Sequence, residues 1–198
     1  YAFAQSFVPT AAFVLPATLH FSGTAQRLPV VLVDDMAAPG DAYEVRARAF
    51  DGRLSLIAEQ RFAYAGDASV PDQIGVLALE YEDLLRPPLL LRLELSKNGQ
   101  SAFDTFYFFN FQAAQGCLFA LPRTALRLTV SDGCARVANV GKRPAVGVCV
   151  ERPGHADTFT AWENFFWLDP GEERRIRVDC TEGLRATALN AEPTKREG

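Results

Sequence analysis

Residues Leu89–Phe111 read LLLRLELSKNGQSAFDTFYFFNF. Leu89, Leu91, Leu93 and Leu95 fall on one face of an extended chain, and Arg92 and Glu94 on the other. That period of two is the signature of a strand with unlike faces. Asn98-Gly99 follows, and both residue types accept the positive φ that a two-residue hairpin turn demands. Ser101–Phe111 is then the returning strand. An antiparallel hairpin is predicted here, and the rest of the chain must supply partners for its apolar face.

The same grammar recurs on both sides. Leu28–Val33 (LPVVLV) is an apolar run ended by Asp34-Asp35. In Tyr43–Phe50 (YEVRARAF), Tyr43, Val45, Ala47 and Ala49 alternate with Glu44, Arg46 and Arg48, which predicts a strand with one face in water. Asp51-Gly52 reads as a turn before Leu54–Tyr64, and Val76–Tyr81 alternates again. Residues 112–124 (QAAQGCLFALPRT) break the alternation and read as a linker. Beyond them, strands are predicted at Ala125–Val130, Cys134–Val140, Ala145–Glu151, Glu163–Leu168, Arg174–Cys180 and Leu184–Asn190, with turns at Asp132-Gly133 and Pro170-Gly171. The tail Glu192–Gly198 is polar and reads as frayed. Many short strands separated by turn residues indicate an all-β chain. An immunoglobulin-like sandwich takes about 100 residues, so the 198 residues accommodate two antiparallel immunoglobulin-like β-sandwiches in tandem.

Composition excludes several function classes. No apolar run approaches the roughly 20 residues that span a bilayer, so no membrane span is expected. A formal net charge of −4 argues against a nucleic-acid partner, because phosphate binding requires a concentrated basic face. Cys117, Cys134, Cys149 and Cys180 contain no C-x-x-C pair, and His20 and His155 are the two histidines. No zinc site, other metal site or cofactor site is expected from that set. Buried free thiols are the expectation for the cysteines, with disulfides as the alternative. The chain begins at Tyr1 without a methionine, and it is read as a piece of a longer protein.

Asn164–Glu172 (NFFWLDPGE) resembles the N-x-F-x-L-x-PGE strand and turn in the last domain of β-mannosidases of glycoside hydrolase family 2. Asn139–Ala145 (NVGKRPA) is similar to the segment where early strands of that domain meet. Phe106–Phe109 (FYFF) resembles the strand that ends the preceding domain. Pro29–Asp35 (PVVLVDD) resembles an early strand there, which in the family more often ends in Asn-Asp. Tyr1–Pro9 (YAFAQSFVP) looks like the end of the last barrel helix. The matches span nearly the whole chain in the expected order, and related β-glucuronidases, β-galactosidases and exo-glucosaminidases share the modular plan.

The resemblance implies a domain plan: residues 1–8 as a remnant of the last barrel helix, 9–113 as the first sandwich and 114–198 as the second. It implies that the parent chain hydrolyses terminal β-mannosides with retention, using two glutamates on a (β/α)₈ barrel. Such a reaction needs two carboxyl groups roughly 5–5.5 Å apart, and the barrel needs roughly 250 residues. No catalytic residue is therefore expected in this chain. The implied role is a non-catalytic accessory region that braces the barrel. Its partners would be the barrel and the N-terminal domains, with oligosaccharide substrate met only through the full enzyme. A periplasmic or extracellular home accompanies that reading. The rival readings are an autonomous carbohydrate-binding module and a bacterial immunoglobulin-like adhesion or chaperone-type protein.

Several residues admit a sharper reading beside a structural one. Phe106 and Phe108 face one way on their strand, and Tyr107, Phe109 and Phe111 the other. This could be a sugar-stacking platform, but core on one side and a domain contact on the other is expected, with Phe108 as a buried side chain. Trp162, Phe165, Phe166 and Trp167 pose the same choice, with core and domain contact again expected. Asp34-Asp35, and Glu80 with Glu82 and Asp83, could be acids or calcium ligands, but they lack the spacing of a calcium loop and are expected to be solvated turn carboxylates. His20 and His155 are expected in structural or exposed roles.

Overall fold

The computed structural model describes residues 8–17, 25–80, 88–110, 117–154, 161 and 163–195. These form strands without a helix, divided into two compact units, residues 2–117 and residues 118–198. The suggested helix remnant at 1–8 falls, but for Val8, outside the described residues.

The first unit is a sandwich of seven strands: β1 (Thr10–Val14), β2 (Gln26–Asp34), β3 (Tyr43–Phe50), β4 (Leu56–Tyr64), β5 (Asp72–Leu79), β6 (Leu89–Lys97) and β7 (Gln100–Phe109). A three-stranded sheet, β1-β2-β5, faces a four-stranded sheet, β4-β3-β6-β7, and every pairing is antiparallel. The core follows from the alternation. Tyr43, Val45, Ala47 and Ala49 of β3 and Leu89, Leu91, Leu93 and Leu95 of β6 meet Ala12, Val14, Leu28, Val30, Leu32, Leu77 and Leu79 of the opposing sheet. Phe109 is the largest fully buried ring of this core. Asn98 (φ 53°) and Gly99 (φ 77°) take the left-handed conformation that the β6–β7 turn requires.

The second unit contains β8 (Leu126–Ser131), β9 (Cys134–Asn139), β10 (Ala145–Glu151), β11 (Phe166–Leu168), β12 (Glu173–Arg177), β13 (Arg185–Ala188) and β14 (Ala191–Lys195). Its sheets are β12-β9-β8 and β11-β10-β13-β14. Substituting β8–β14 in order for β1–β7 reproduces every strand neighbour of the first unit. The two units thus share one immunoglobulin-like topology. In β8, Leu126, Leu128 and Val130 are buried while Arg127, Thr129 and Ser131 are exposed. They meet Val137, Val148, Val150, Phe166, Leu168, Ile176 and Leu184 in a separate core.

The structure departs from the sequence reading at several element ends. Strand β1 is not called from its alanine-rich sequence; it forms because it pairs with the apolar run of β2, residue against residue from Thr10–Asp34 to Val14–Val30. Strand β4 begins at Leu56 because Asp51 Oδ1 accepts from the N–H groups of both Arg53 and Ser55, holding residues 51–55 as a loop. The positive φ sits on Leu54 rather than on Gly52. Strand β11 begins at Phe166 because the Asn164 side chain takes a strand residue's place: it accepts from Val150 N–H (2.8 Å) and donates to Val150 C=O (2.9 Å). Of the tail expected to fray, residues 192–195 pair with β13 as part of β14, and Pro193 is tolerated because β14 is an edge strand; residues 196–198 lie outside the described residues.

The outer face of the four-stranded sheet in the first unit is not uniformly in water. Arg48 and Arg92 are buried. Arg92 Nε donates to Asp104 (3.0 Å) and Arg48 Nε to Glu94 (3.0 Å), while Arg46 makes a two-pronged contact with Glu59 (3.0 and 2.9 Å). Phe50 stacks under the Arg48 guanidinium. Opposite charges on adjacent strands let this face be covered without an isolated buried charge.

Candidate functional site

The most organised polar cluster lies at one end of the first sandwich, where the β2–β3 loop, the β6–β7 hairpin and the start of β1 converge. Asp34, at the end of β2, has no exposed surface. Its Oδ1 accepts from Thr10 Oγ1 (2.8 Å) and from Met36 N–H (2.9 Å). Its Oδ2 accepts from Tyr43 O–H (2.8 Å) and from Lys97 Nζ (2.7 Å). Lys97 also reaches Asp41 (2.8 Å) and donates to Met36 C=O (3.1 Å). Asp41 in turn accepts from Asn98 Nδ2 and from Ala38 N–H, both at 2.8 Å. The expectation that Asp34 is a solvated turn carboxylate is thus overturned, because four groups on four segments turn inward to satisfy it; Asp35 and Glu80 are exposed. Glu82, Asp83, His20 and His155 lie outside the described residues.

Electrostatics fix the protonation states of this cluster. Burial pushes the Asp34 carboxyl up, but the bonds from Lys97, Thr10, Met36 and Tyr43 outweigh it and hold the pKa below the usual value. The Lys97 and Asn98 hydrogen bonds, with that of Ala38, hold Asp41 well below it. Desolvation, with the bond to Asp34, pushes Tyr43 up to about 12, and the two aspartates raise Lys97. Acid–base catalysis near neutrality needs a group whose pKa lies near the working pH. Here every shift moves away from neutrality, so the carboxylates stay charged, the ammonium stays protonated and the phenol stays neutral. The arrangement pins a loop. It also places the Lys97 ammonium between two carboxylates and the Met36 carbonyl. Among the described residues no group of three or more His, Cys, Asp or Glu side chains is placed to hold a metal ion.

Beside the cluster, the 37–41 and 65–69 loops enclose an open cleft of about 560 Å³ lined by Ala37, Ala38, Asp41, Gly66, Asp67 and Ser69, among others. Its two acids are both shifted down, Asp67 by its bonds with Ser69. Neither can serve as the proton donor of a glycosidase, whose pKa must be raised.

The aromatic strand divides differently from the expectation. Phe109 is fully buried in the core, whereas Phe108, expected to be buried, is half-buried on the opposite face. The residue before the core ring must point outward in a regular strand. Phe106 and Phe108 contact each other edge to face, with centroids 5.4 Å apart and planes at 81°. That geometry offers no flat pair of rings to a sugar. Phe111 and Trp162 lie outside the described residues. Phe166 and Leu168 enter the second core, Trp167 is fully buried, and Phe165, 45% exposed, takes a left-handed φ of 61°.

The segments that carry the family resemblance are hydrogen-bonding hubs. Asn139 is buried, and its side chain uses all four bonding positions: Oδ1 accepts from Thr124 Oγ1 and Gly141 N–H, and Nδ2 donates to the carbonyls of Arg143 and Leu168. Gly141 lies against Thr124 and Ala125 with no room for a Cβ, which would meet the Ala125 nitrogen at 2.7 Å. Asn190 ties Pro122, Pro144 and Val146 in the same manner. In the PGE turn, Gly171 has a φ of 79°, Glu172 accepts from Asp169 N–H (2.7 Å), and Trp167 Nε1 donates to the Asp169 carboxylate (2.8 Å). All four cysteines are free thiols; Cys117 is buried and the other three are half-buried. Burial, with Glu151 nearby, pushes the Cys149 thiol up to about 11.

Sequence reasoning missed the roles of Tyr43, Lys97, Asp41 and Thr10. The one available signal is a charged residue, Lys97, directly before the Asn-Gly turn and on the pleat opposite the leucine face's outward neighbour Ser96.

No family model matches the chain, and no curated protein matches it. Solved structures do. The exo-chitosanase of Amycolatopsis orientalis aligns with a TM-score of 0.66 at 13% identity, over 94% of this chain and 26% of that one. A β-D-mannosidase from Dictyoglomus thermophilum aligns with a TM-score of 0.62 at 14% identity, over 95% of this chain and 22% of that one. The chain therefore spans about a quarter of the length of these proteins. At these identities the likeness establishes the fold: both sandwiches, in tandem, as they occur within larger glycosidases.

Proposed function

We propose that this chain is the non-catalytic accessory region of a retaining glycoside hydrolase of the β-mannosidase type, bracing a catalytic barrel carried elsewhere in the same polypeptide. The observation that carries the reading is the alignment of both sandwiches, through 94% of this chain, with 26% of a much longer exo-chitosanase. The site chemistry supports it. Retaining hydrolysis asks for a nucleophilic carboxylate and a carboxylic acid of raised pKa across a sugar-sized gap. Asp41 and Asp67, which line the cleft between the 37–41 and 65–69 loops, are held in their charged forms. The side chains of Asn139, Trp167, Asp169 and Glu172 in the resembling motifs are engaged in turn and strand-end bonds.

The chain alone should release no nitrophenol from chromogenic β-mannoside, β-galactoside or β-glucuronide. Turnover that co-purifies with the chain through successive columns would overturn the reading. The reading frame that contains Tyr1 should encode a (β/α)₈ barrel upstream of it. A frame without one would favour the adhesion-type alternative.

A further inference from the structure

We infer that the exposed face of the β12-β9-β8 sheet in the second unit is a binding surface for an acidic polysaccharide, whose carboxylate or sulfate groups are taken by Arg127, Arg136 and Arg175. The inference goes beyond the accessory-region reading and does not depend on it.

Alternation and register build this face. Leu126, Leu128 and Val130 of β8 enter the core, so Arg127, Thr129 and Ser131 point outward. The register sets Arg136 of β9 opposite Thr129 on one side and directly opposite Arg175 of β12 on the other. Glu173 and Arg177 share the outward side of β12 with Arg175, and Arg127 stands opposite Ala138. All four arginines are exposed. Residues two apart on a strand are about 7 Å apart and neighbouring strands about 5 Å, so the four leave the sheet within roughly 10 by 14 Å.

The fold does not require arginines there. The equivalent sheet of the first unit, β1-β2-β5, turns Phe13, Pro29 and Val33 outward. On the outer face of the first unit's other sheet, Arg46, Arg48, Arg61 and Arg92 are each met by an acid: Glu59, Glu94, Glu44 and Asp104. The outward positions of β8, β9 and β12 hold four arginines and one acid, Glu173, which lies 3.3 Å from Arg136. Asp132 and Asp179 follow at the Arg177 end, so the uncompensated charge is centred on Arg127, Arg136 and Arg175. Like charges directly opposite on neighbouring strands destabilise a sheet. A local rule broken at a cost in stability is expected where a surface serves function.

The chemistry of the face selects the ligand. Guanidinium groups offer paired donors to carboxylates and similar oxyanions. A shallow furrow of about 300 Å³ lies against Arg127, Arg136, Thr129, Ala138 and Glu173. Thr129 and Glu173 supply acceptors for hydroxyl groups beside the arginines. Anionic groups and hydroxyls together are the chemistry of an acidic sugar. The outward positions of the three strands carry no large apolar side chain to enter a lipid surface and no ring to stack on a nucleic-acid base.

The test is affinity electrophoresis of the 198-residue chain through gels that contain polygalacturonate, dextran sulfate, neutral mannan or polyglutamate. Polygalacturonate or dextran sulfate should retard the chain, and which of them does so tells carboxylate from sulfate as the bound group. Mannan should not retard it. The double variant Arg127→Gln, Arg136→Gln should bind at least about tenfold more weakly, since two charge-assisted contacts are lost. Arg53→Gln, Arg61→Gln removes the same charge from the first unit and should leave binding unchanged. Arg175→Thr should bind more weakly yet unfold no earlier in urea than the parent, because it relieves the opposition to Arg136. No retardation by either acidic glycan, equal retardation by mannan, or an Arg127→Gln, Arg136→Gln protein that binds like the parent overturns the inference. Retardation by polyglutamate as strong as by the glycans overturns it in favour of an acidic protein segment.

Discussion

Lys97 Nζ lies 2.7 Å from Asp34 Oδ2, joining residues 63 apart in sequence across the two sheets of the first sandwich. The aspartate has no exposed surface and the lysine keeps part of its own. This pair, with Tyr43 and Thr10, makes the end of an apolar strand into a fixed corner. Removing one partner of such a pair leaves a charge that burial penalises. Asp34→Asn should therefore cost on the order of 2–3 kcal/mol, the scale of hydrogen bonds to a charged group. Urea unfolding measures it; a loss below about 0.5 kcal/mol, the scale of ordinary surface changes, would mean that the corner contributes no stability.

The same corner gives stability a definite pH dependence. Asp34 and Asp41 have folded pKa values below their unfolded ones. Their contribution is complete above the ordinary carboxylate range near pH 4 and is lost as pH falls through the lower folded values. Tyr43 and Lys97 are shifted up, Tyr43 to about 12. Their contribution is complete below about pH 10 and is lost as pH rises from there. Urea midpoints should be level between pH 5 and 9 and fall on both sides. Asp34→Asn should flatten the acid limb; parallel acid limbs in variant and parent would remove the corner from the account.

The two neighbouring rings of β7 give a paired test. Phe109→Ala should destabilise by about 3–5 kcal/mol, the cost of emptying a buried phenylalanine site. Phe108→Ala, at a half-buried position, should cost less than that. The reverse order in denaturant unfolding would mean that the strand presents its other face to the core.

Asn139 joins the ends of β9, β10 and β11 through four side-chain bonds. Asn139→Ala removes all four bonds; Thr124 Oγ1 and the Arg143 carbonyl keep each other (2.8 Å), while Gly141 N–H and the Leu168 carbonyl lose their Asn139 partner. The expected loss is about 2–4 kcal/mol. Gly141→Ala should also destabilise the second unit, because its methyl would press on the Ala125 backbone. Calorimetry of the two variants reads both effects. A Gly141→Ala protein as stable as the parent would mean that the 139–144 turn relaxes freely.

The strands with one apolar face were legible because alternation is a local signal. Leu89–Leu95 and Tyr43–Ala49 carry it in full, and their burial follows. The Asn98-Gly99 and Asp132-Gly133 turns were equally legible, since positive φ restricts the residue types that can serve. What escaped depends on distant partners. Strand β1 exists because β2 offers it a ladder, and β14 because β13 does. Asp34 became a buried hub only when Lys97 was brought to it from the far hairpin. The motif asparagines Asn139 and Asn164 were visible as a resemblance, but their tasks lie in bonds to backbone groups up to 29 residues away, which no local pattern encodes.

The most direct test is hydrolysis by the protein made from the whole reading frame, set beside the 198-residue chain under the same conditions. With p-nitrophenyl β-D-mannoside and β-D-glucosaminide as substrates, the whole protein should release nitrophenol and the chain should release none. Release by the chain itself, or none by the whole protein with any β-glycoside offered, would contradict the assignment of this region as a glycosidase accessory.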